Sequence, residues 1–575
     1  MSSTPSPPST LSKPVFFISG GIVAVAVLLA LLLPGPFSTV IGAVNTAVVD
    51  AVGWYYVLVV AVFVAFSIIV AVSRLGKIRL GKDDEKPEYG LLSWFSMLFA
   101  AGMGIGLVFW GAAEPLTFFA GGDQVPPNAQ NLATEARANR AMGQTFLHWG
   151  LHAWSIYVVV GLAIAYAVHR RGRPISIRWA LEPILGKRTD TWIGDAIDII
   201  AIVGTLFGIA TSLGFGVNQI FAGLEHLGIF SADQEWIKVP LILLITAVAT
   251  LSAASGVDKG IRYLSNTNLA LAAVLLVTIL ILGPTLFLLR DFVSGIGYYL
   301  QNFIQLSFQT MPFFGDKGAA WVNGWTVNYW GWWMSWSPFV GVFIARISRG
   351  RTVREFIIGV LLVPTLVTML WFTIMGGTAI SQMVLRGLDL RQADGSINAD
   401  TALFDMFANL PGGAILSGIA IVLVSIFFIT SADSGAFVVD MIAHRGDTSP
   451  PRITRIFWAV ASGVIAAALI GMGLWHGGDT AGMSALQALA LLSAAPFSVV
   501  MIGMMISVWK ELSREVEVIE ELELEIRQRE YTQRYDHRIT EHVESTVQAQ
   551  VADKLGPAVA AEVEQRLQAD GADRA

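Results

Sequence analysis

Long apolar stretches recur along the whole chain and are separated by short polar segments. A bilayer core of about 30 Å requires about 20 consecutive apolar residues in a helix. About twelve stretches meet this requirement: 15–33, 53–73, 91–113, 141–168, 193–224, 239–256, 264–289, 326–346, 355–380, 413–441, 455–475 and 484–509. The fifth is the least regular, because Asp195 and Asp198 lie near its start and several glycines follow. The pattern predicts an all-α integral membrane protein.

The first stretch could be mistaken for a secretory signal. Only Lys13 precedes it, its apolar run is longer than a signal would have, and no small-residue cleavage site follows. We therefore expect a retained first helix after a short tail, residues 1–14.

Lys and Arg are distributed unevenly among the predicted loops. The loops that follow even-numbered spans hold twenty of them, and the opposite set holds seven. Cytoplasmic loops carry the excess of positive charge in membrane proteins. The sequence therefore predicts a multi-pass protein of the cell membrane with both termini in the cytoplasm.

Two segments outside the spans have distinct patterns. Residues 291–303 are apolar but too short to cross a bilayer, which predicts an interfacial amphipathic helix on the outer side. Residues 511–575 are polar and carry 16 acidic against 8 basic residues. This pattern predicts a cytoplasmic acidic helical tail.

Composition narrows the class of protein. Hydrophobic residues make up 54% of the chain and charged residues 14%, whereas about 25% charge is usual in soluble proteins. The net charge of −6, with no basic domain, argues against nucleic-acid binding. With no Cys there is neither a disulfide framework nor a thiolate metal site.

The third predicted span contains three glycines at alternate positions, Gly102, Gly104 and Gly106. Glycine in membrane helices often permits close packing, but alternate positions do not share one helical face. A locally unwound helix explains the spacing better, and such broken helices form the binding sites of transporters.

Aromatic residues are concentrated near the eighth span. Six of the 18 Trp residues fall between Trp321 and Trp336. Trp332 and Trp336 share a helical face. In the fourth span Trp154 and Tyr157 also share a face. Regular helix geometry turns Trp149 of the same span about 140° from Trp154.

Rings that converge with no acid among them suit a quaternary ammonium group, because it cannot donate hydrogen bonds and ring faces attract it. Core packing is an equally open interpretation of the same rings.

The tenth span contains Thr430 and Ser431, followed by Asp433. Such hydroxyls often bond to the preceding turn, but with carbonyls of an unwound helix they could hold Na⁺. Asp433 is either a functional intramembrane acid or a helix cap. In the fourth span His148 and His152 share a helical face. Neither a Glu nor a third metal ligand accompanies them, so we expect them to be packing residues. A metal site, or a membrane-embedded enzyme that uses one, is the less favoured interpretation.

Together these residues resemble the betaine/carnitine/choline transporter family. The motifs that carry the resemblance are Gly102-Met-Gly-Ile-Gly106, Glu114-Pro-Leu, Trp332-Trp-Met-Ser-Trp-Ser-Pro-Phe339, Ala345-Arg-Ile-Ser-Arg-Gly-Arg351 and Phe428-Ile-Thr-Ser-Ala-Asp433. The resemblance implies a homotrimer and a LeuT-like core of two inverted five-helix repeats after two extra helices. The two extra helices and the loop after them would occupy residues 15–90, and the two repeats residues 91–289 and 326–510. The outer interfacial helix and its connection would occupy residues 290–325.

The resemblance also implies site residues, carried over by position. An ammonium box would comprise Trp149, Trp154, Tyr157, Trp332, Trp333 and Trp336. The substrate would also contact the unwound stretch Ala101, Gly102, Met103, Gly104, Ile105 and Gly106, with Phe109 closing the pathway. One Na⁺ site would use Ala100, Met103, Phe427, Thr430 and Ser431. A second would use Thr205 and Phe339, but Ile209 replaces its other hydroxyl.

Family members that take choline carry Asp at the position of Gly106, so Gly106 favours a substrate with its own carboxylate. The resemblance thus implies Na⁺-coupled symport of glycine betaine or a related trimethylammonium zwitterion. Carriers of ectoine, proline or carnitine, a Na⁺-independent antiporter, and a channel or osmosensor remain alternatives. The acidic tail does not support osmotic activation by a basic tail, although compatible-solute uptake and osmoregulation remain expectations.

Overall fold

The computed structural model describes residues 10–102, 104–255, 258–477, 479–554 and 556–572, and this part is helical throughout apart from connections and one bridge between Arg79 and Thr352. The main helices are α1 (Lys13–Leu32), α2 (Pro34–Val72), α3 (Leu91–Gly102), α4 (Ile105–Ala120), α5 (Thr134–Trp149), α6 (Leu151–Ala165), α7 (Trp192–His226), α8 (Lys238–Ser255), α9 (Asp258–Leu282), α10 (Thr285–Gln301), α11 (Asn328–Arg346), α12 (Val353–Arg386), α13 (Gly413–Ala443), α14 (Arg452–Met472), α15 (Asp479–Lys554) and α16 (Gly556–Ala572). The predicted all-α class is confirmed.

Within the described ranges, ten helical stretches are long and apolar enough to cross a membrane. The two predicted spans that do not qualify are 91–113 and 326–346. The first is divided into α3 and α4, and the second, α11, is crowded with aromatic residues. Both of these spans carry predicted binding residues, as does the fourth span with Trp149, Trp154 and Tyr157.

The helices of the two halves of the membrane region make equivalent contacts with each other. Helix α4 packs on α12, and the equivalent helix of the other half, α11, packs on α6. The third spans of the two halves, α7 and α13, pack on each other, as do the fourth spans, α8 and α14. Exchanging the two halves reproduces these contacts, which agrees with the expected repeat of five plus five spans.

Several helix boundaries differ from the sequence prediction. Helix α2 begins at Pro34 rather than near residue 53. The span predicted over 264–289 ends at Leu282, because proline cannot continue a helix and Gly283-Pro284 follows. The next helix, α10, contains the predicted interfacial segment up to Gln301 and packs on α5 and α12.

The glycines of the fifth span allow close packing and do not break the helix. A side chain at Gly208 would come within 3.1 Å of Trp336, and one at Gly216 within 2.9 Å of Ile105. Helix α7 is therefore continuous and lies directly against the elements that carry the predicted site.

The two acids at the start of α7 are paired with one buried cation. Arg178 donates from Nε to Asp198 at 2.6 Å and from Nη2 to Asp195 at 2.7 Å. Asp198 also accepts hydrogen bonds from Ser176 and from the backbone N–H of Arg178. This network explains how carboxylates are tolerated near a membrane-spanning stretch.

The segment Glu511–Ala575 forms a compact unit of its own. Its described residues are helical and almost entirely exposed, in agreement with the polar pattern of this stretch.

Candidate functional site

The third span is interrupted where the glycines predicted it. Helix α3 ends at Gly102, α4 begins at Ile105, and Gly104 between them has an extended backbone with φ −130° and ψ −170°. Ala100 and Ala101 lie in the last turn of α3, whereas Met103 lies outside the described residues. The break frees backbone groups next to the aromatic cluster.

The fourth span has a second break, which the sequence analysis missed. Gly150 separates α5 from α6, with φ −97° and ψ −135°. The prediction that Trp149 is turned about 140° from Trp154 assumed a continuous helix and is wrong for this reason. Thr368 donates to the carbonyl of Trp149, which satisfies one group at the break.

Three of the predicted rings meet in one cluster together with a fourth ring. Trp149 lies edge to face with Trp332 and Trp333, at centroid distances of 6.2 and 4.9 Å. Tyr329 contacts all three at 5.6 to 6.1 Å. The sequence analysis did not select Tyr329, although it lies three and four residues before the two tryptophans and so shares their side of α11.

The cluster is packed against the broken helix at its glycines. A Cβ at Gly106 would be 2.5 Å from Cη2 of Trp332 and 3.0 Å from Cη2 of Trp149. A Cβ at Gly104 would be 3.0 Å from Cη2 of Trp336. The indole rings therefore lie directly on the backbone of the third span.

Of the remaining predicted box residues, Tyr157 and Trp154 lie at the edge of this cluster, whereas Trp336 lines the larger cavity. Tyr157 contacts Trp333 at 6.4 Å, and Trp154 contacts Tyr157 at 5.4 Å. Trp336 lies one turn further along α11 and contacts Phe339 at 5.5 Å. All of these side chains are buried.

Phe109 is connected to the cluster through a residue that the sequence analysis did not identify. Its ring lies 4.7 Å from Phe215 of α7, and Phe215 lies 5.2 Å from Trp332. Trp110 extends the same aromatic layer.

The expectation that no acid lies among the rings is wrong. Glu114 is fully buried, and its carboxyl group accepts a hydrogen bond from Trp149 Nε1 at 2.6 Å and another from the Tyr329 hydroxyl. His148 Nδ1 lies 2.8 Å from the other carboxyl oxygen. His148 thus has the acidic neighbour that the sequence analysis denied it, although the described residues contain no cluster of three metal-binding side chains.

Three indole N–H groups in the site are buried without a hydrogen-bond partner among the described residues. They belong to Trp110, Trp332 and Trp336. An unpaired buried donor is costly, so each could bind an acceptor on a ligand.

Two cavities approach the cluster. One of about 130 Å³ is lined by Trp110, Phe215, Tyr329 and Trp332, together with Asn328 and Gln487. The other, of about 600 Å³, extends from Tyr89 to Trp336 and also contacts the side chains of Thr430 and Ser431. Trp332 and Trp336, four residues apart on α11, thus line different cavities.

The residues of the first predicted Na⁺ site lie partly in the larger cavity. The hydroxyl of Thr430 donates to the carbonyls of Ile426 and Phe427. This is the bonding to the preceding turn that the sequence offered as an alternative to binding Na⁺. Ser431 lines the cavity, and its hydroxyl has no partner within the described ranges. Phe427 lines it too.

The second predicted Na⁺ site has little support from the geometry. Thr205 donates to the carbonyl of Ala201 at 2.7 Å, and Ile209 packs toward Gly435 of α13. The neighbouring hydroxyls of Thr211 and Ser212 also bond to carbonyls of their own helix. Phe339 lines the larger cavity.

Asp433 is paired and does not line either cavity. Arg455 donates to one carboxylate oxygen at 2.7 Å, and Ser252 donates to the other at 3.0 Å. It joins α13 to α14 and α8, so its observed role is structural.

The sequence matches the family described as "BCCT, betaine/carnitine/choline family transporter" over residues 14–517. A transporter of Mycobacterium tuberculosis, named only as uncharacterized, is 48% identical over 494 residues, which is 85% of this chain and 81% of the relative. The glycine betaine transporter OpuD of Bacillus subtilis is 44% identical over 514 residues, 88% of this chain and 96% of that protein. An ectoine/hydroxyectoine transporter of Virgibacillus pantothenticus is 39% identical over 509 residues, 88% of this chain and 97% of that protein.

Proposed function

Because this chain belongs to the betaine/carnitine/choline transporter family, we propose that it is a Na⁺-coupled symporter of glycine betaine or a related trimethylammonium zwitterion. The observation that carries the proposal is the meeting of Trp149, Trp332, Trp333 and Tyr329 against Gly106 in a broken helix. The relative named as a glycine betaine transporter supports the choice of substrate.

The ring cluster would hold the ammonium end of the substrate. A trimethylammonium group has no N–H to donate, so attraction must come from aromatic faces and nearby negative charge. Each desolvated ring can contribute about 2 kcal/mol. Four rings in mutual contact offer several such faces at one place.

The carboxylate end would meet hydrogen-bond donors on the side toward the helix break. Backbone N–H groups at the start of α4 would be available there, together with the unpaired N–H of Trp332 at the smaller cavity or that of Trp336 at the larger one. The positive end of a half-helix dipole also attracts an anion. A zwitterion could therefore lie between the rings and the break.

Sodium would bind between α3 and α13. In this proposal the hydroxyls of Thr430 and Ser431 and the carbonyl of Phe427 act with the carbonyls of Ala100 and Met103. Because both helices contribute ligands, bound Na⁺ would fix the helix break that the substrate contacts, so each would raise the affinity for the other. A second Na⁺ at Thr205 and Phe339 is weakly supported, because Ile209 supplies no oxygen.

The Na⁺ requirement is tested by uptake of radiolabelled betaine into proteoliposomes. An inward Na⁺ gradient should drive accumulation, and an equal K⁺ gradient should not. Ser431→Ala should raise the Na⁺ concentration needed for half-maximal uptake about tenfold, whereas Ser425→Ala, whose hydroxyl bonds within the same helix, should not. Equal uptake in K⁺ would refute the coupling.

Ectoine is the second candidate substrate, because the relative from Virgibacillus pantothenticus is named as an ectoine/hydroxyectoine transporter. The same rings could accept its cyclic nitrogen-containing group. Competition of ectoine, proline and carnitine against labelled betaine ranks these substrates. A Na⁺-independent antiporter would instead show betaine counterflow without Na⁺.

The protein is expected to act in the cell membrane with both termini in the cytoplasm and to assemble as a homotrimer. The distribution of Lys and Arg supports the orientation. With Tyr89 on a cytoplasmic connection, the larger cavity would open inward. A role in osmoregulation follows from compatible-solute uptake, and uptake at low and high osmolality would test it.

A further inference from the structure

Glu114 is a fully buried acid immediately behind the aromatic cluster. Its carboxyl group contacts two of the cluster's members, Trp149 and Tyr329. It lies ten residues from Gly104 at the break, well inside α4. The proposed transport function assigns no role to this acid.

Side-chain groups contact both oxygens of this carboxyl group. Trp149 Nε1 and the Tyr329 hydroxyl donate to one oxygen, and an indole N–H can only donate. His148 Nδ1 lies 2.8 Å from the other oxygen. The carboxyl group is therefore held on both sides and cannot turn away from the rings.

No Lys or Arg balances this acid. Within the described ranges, neither a Lys nor an Arg forms an ion pair with Glu114, and its neighbours are an imidazole, an indole and a phenol. Hydrogen bonds from such groups stabilise a carboxylate without the fixed positive charge of a Lys or Arg. In a low-dielectric interior, the charge of such a carboxylate acts over several ångströms.

We infer that Glu114 determines specificity by placing a fixed negative charge behind the aromatic box, which favours a cationic group in the box and turns the substrate's own carboxylate away. This inference rests on the proposed function and deepens it. Glu114 also positions the cluster, because its two hydrogen bonds fix the orientation of the Trp149 and Tyr329 rings. The site thus combines aromatic faces with an anion that does not touch the substrate.

Charge and shape can be separated with a neutral isostere of the substrate. In 3,3-dimethylbutyrate a carbon atom replaces the nitrogen of glycine betaine, so the molecule keeps its shape and carboxylate but loses the positive charge. Glu114→Gln removes the negative charge from the protein and retains a group of the same size. Binding of both compounds is measured by tryptophan fluorescence on the purified full-length chain in Na⁺.

Glu114→Gln should weaken betaine binding at least about tenfold, while the isostere should bind equally well or more tightly. A purely structural role for Glu114 would weaken both compounds by the same factor, and that result would overturn the inference. Glu135→Gln, at an exposed position on α5, is the matched control and should change neither affinity.

If Glu114→Gln does not fold, the same two affinities are measured on Glu114→Asp. This variant keeps the negative charge but lies further from the donors of Trp149 and Tyr329. We expect the affinities for betaine and for the isostere to fall by the same factor, so that the preference for betaine persists. Loss of that preference with the charge retained would contradict the inference. A different result would refute the proposed function itself: the wild-type protein would bind no betaine.

Discussion

At Gly106 the lack of a side chain allows the indole rings of Trp332 and Trp149 to reach the backbone of α4. A Cβ there would be 2.5 Å from Trp332, closer than carbon atoms approach in proteins, and both contacts are with the ends of large buried rings. A substitution must therefore displace the rings that form the proposed ammonium box. The glycine sets the position of the box relative to the helix break.

We predict that Gly106→Ala weakens betaine binding at least about tenfold, because the added methyl group displaces two rings whose faces would hold the ammonium group. Isothermal titration calorimetry of the purified variant measures the affinity. Gly297→Ala is the matched control, since a Cβ at Gly297 on α10 meets nothing within 4 Å. Equal affinities for the two variants would contradict the packing argument.

The sequence predicted the aromatic residues of the site better than its polar residues. Trp332 and Trp149 were selected from their positions in apolar spans and Trp333 from the family resemblance, and the structure brings the three together. Glu114 was missed because the third span was predicted to end at residue 113. The break at Gly104 lets a second half-helix continue to Ala120, which places this acid inside the bundle.

At the scale of helices, the sequence predicted the apolar spans but not every interruption. The glycine-rich stretch of the third span breaks the helix, whereas the glycines of α7 lie in a continuous helix and pack against Ser335, Trp336 and Ile105. Composition alone could not distinguish these two uses of glycine. The residues that pack against these glycines come from distant parts of the chain, so the local sequence does not reveal them.

The start of α7 depends on the ion pairs of Arg178. We predict that Arg178→Met lowers the free energy of unfolding by about 3 to 5 kcal/mol, because it leaves Asp195 and Asp198 without their cation, the latter fully buried. Thermal unfolding in detergent measures the change. Arg188→Met, at an exposed position, should have little effect, and equal stability of the two variants would refute the prediction.

At the scale of the whole molecule, the reciprocal packing of the two halves places the broken span α3–α4 and the aromatic span α11 at the centre of the proposed transport pathway. The long apolar stretches were sufficient to predict the class of fold. The pairing of helices between halves required the structure, because side chains far apart in sequence determine it. The two cavities are lined by Trp332 and by Trp336, which lie one turn apart on α11.

The predicted orientation can be tested directly, because the chain contains no Cys. A single cysteine at Asp316, exposed between α10 and α11, should react with a membrane-impermeant maleimide in intact cells. One at Ser545, exposed in the tail, should react only in inverted membrane vesicles. The reverse pattern would show that the excess of Lys and Arg lies on the outer side.

The most direct test of the central claim is an experimental structure of the protein with glycine betaine and Na⁺ bound. We predict that the substrate nitrogen lies within about 6 Å of the ring centroids of Trp149, Trp332 or Trp333, with its carboxylate pointing away from Glu114. A substrate whose nitrogen touches none of these rings would contradict the account.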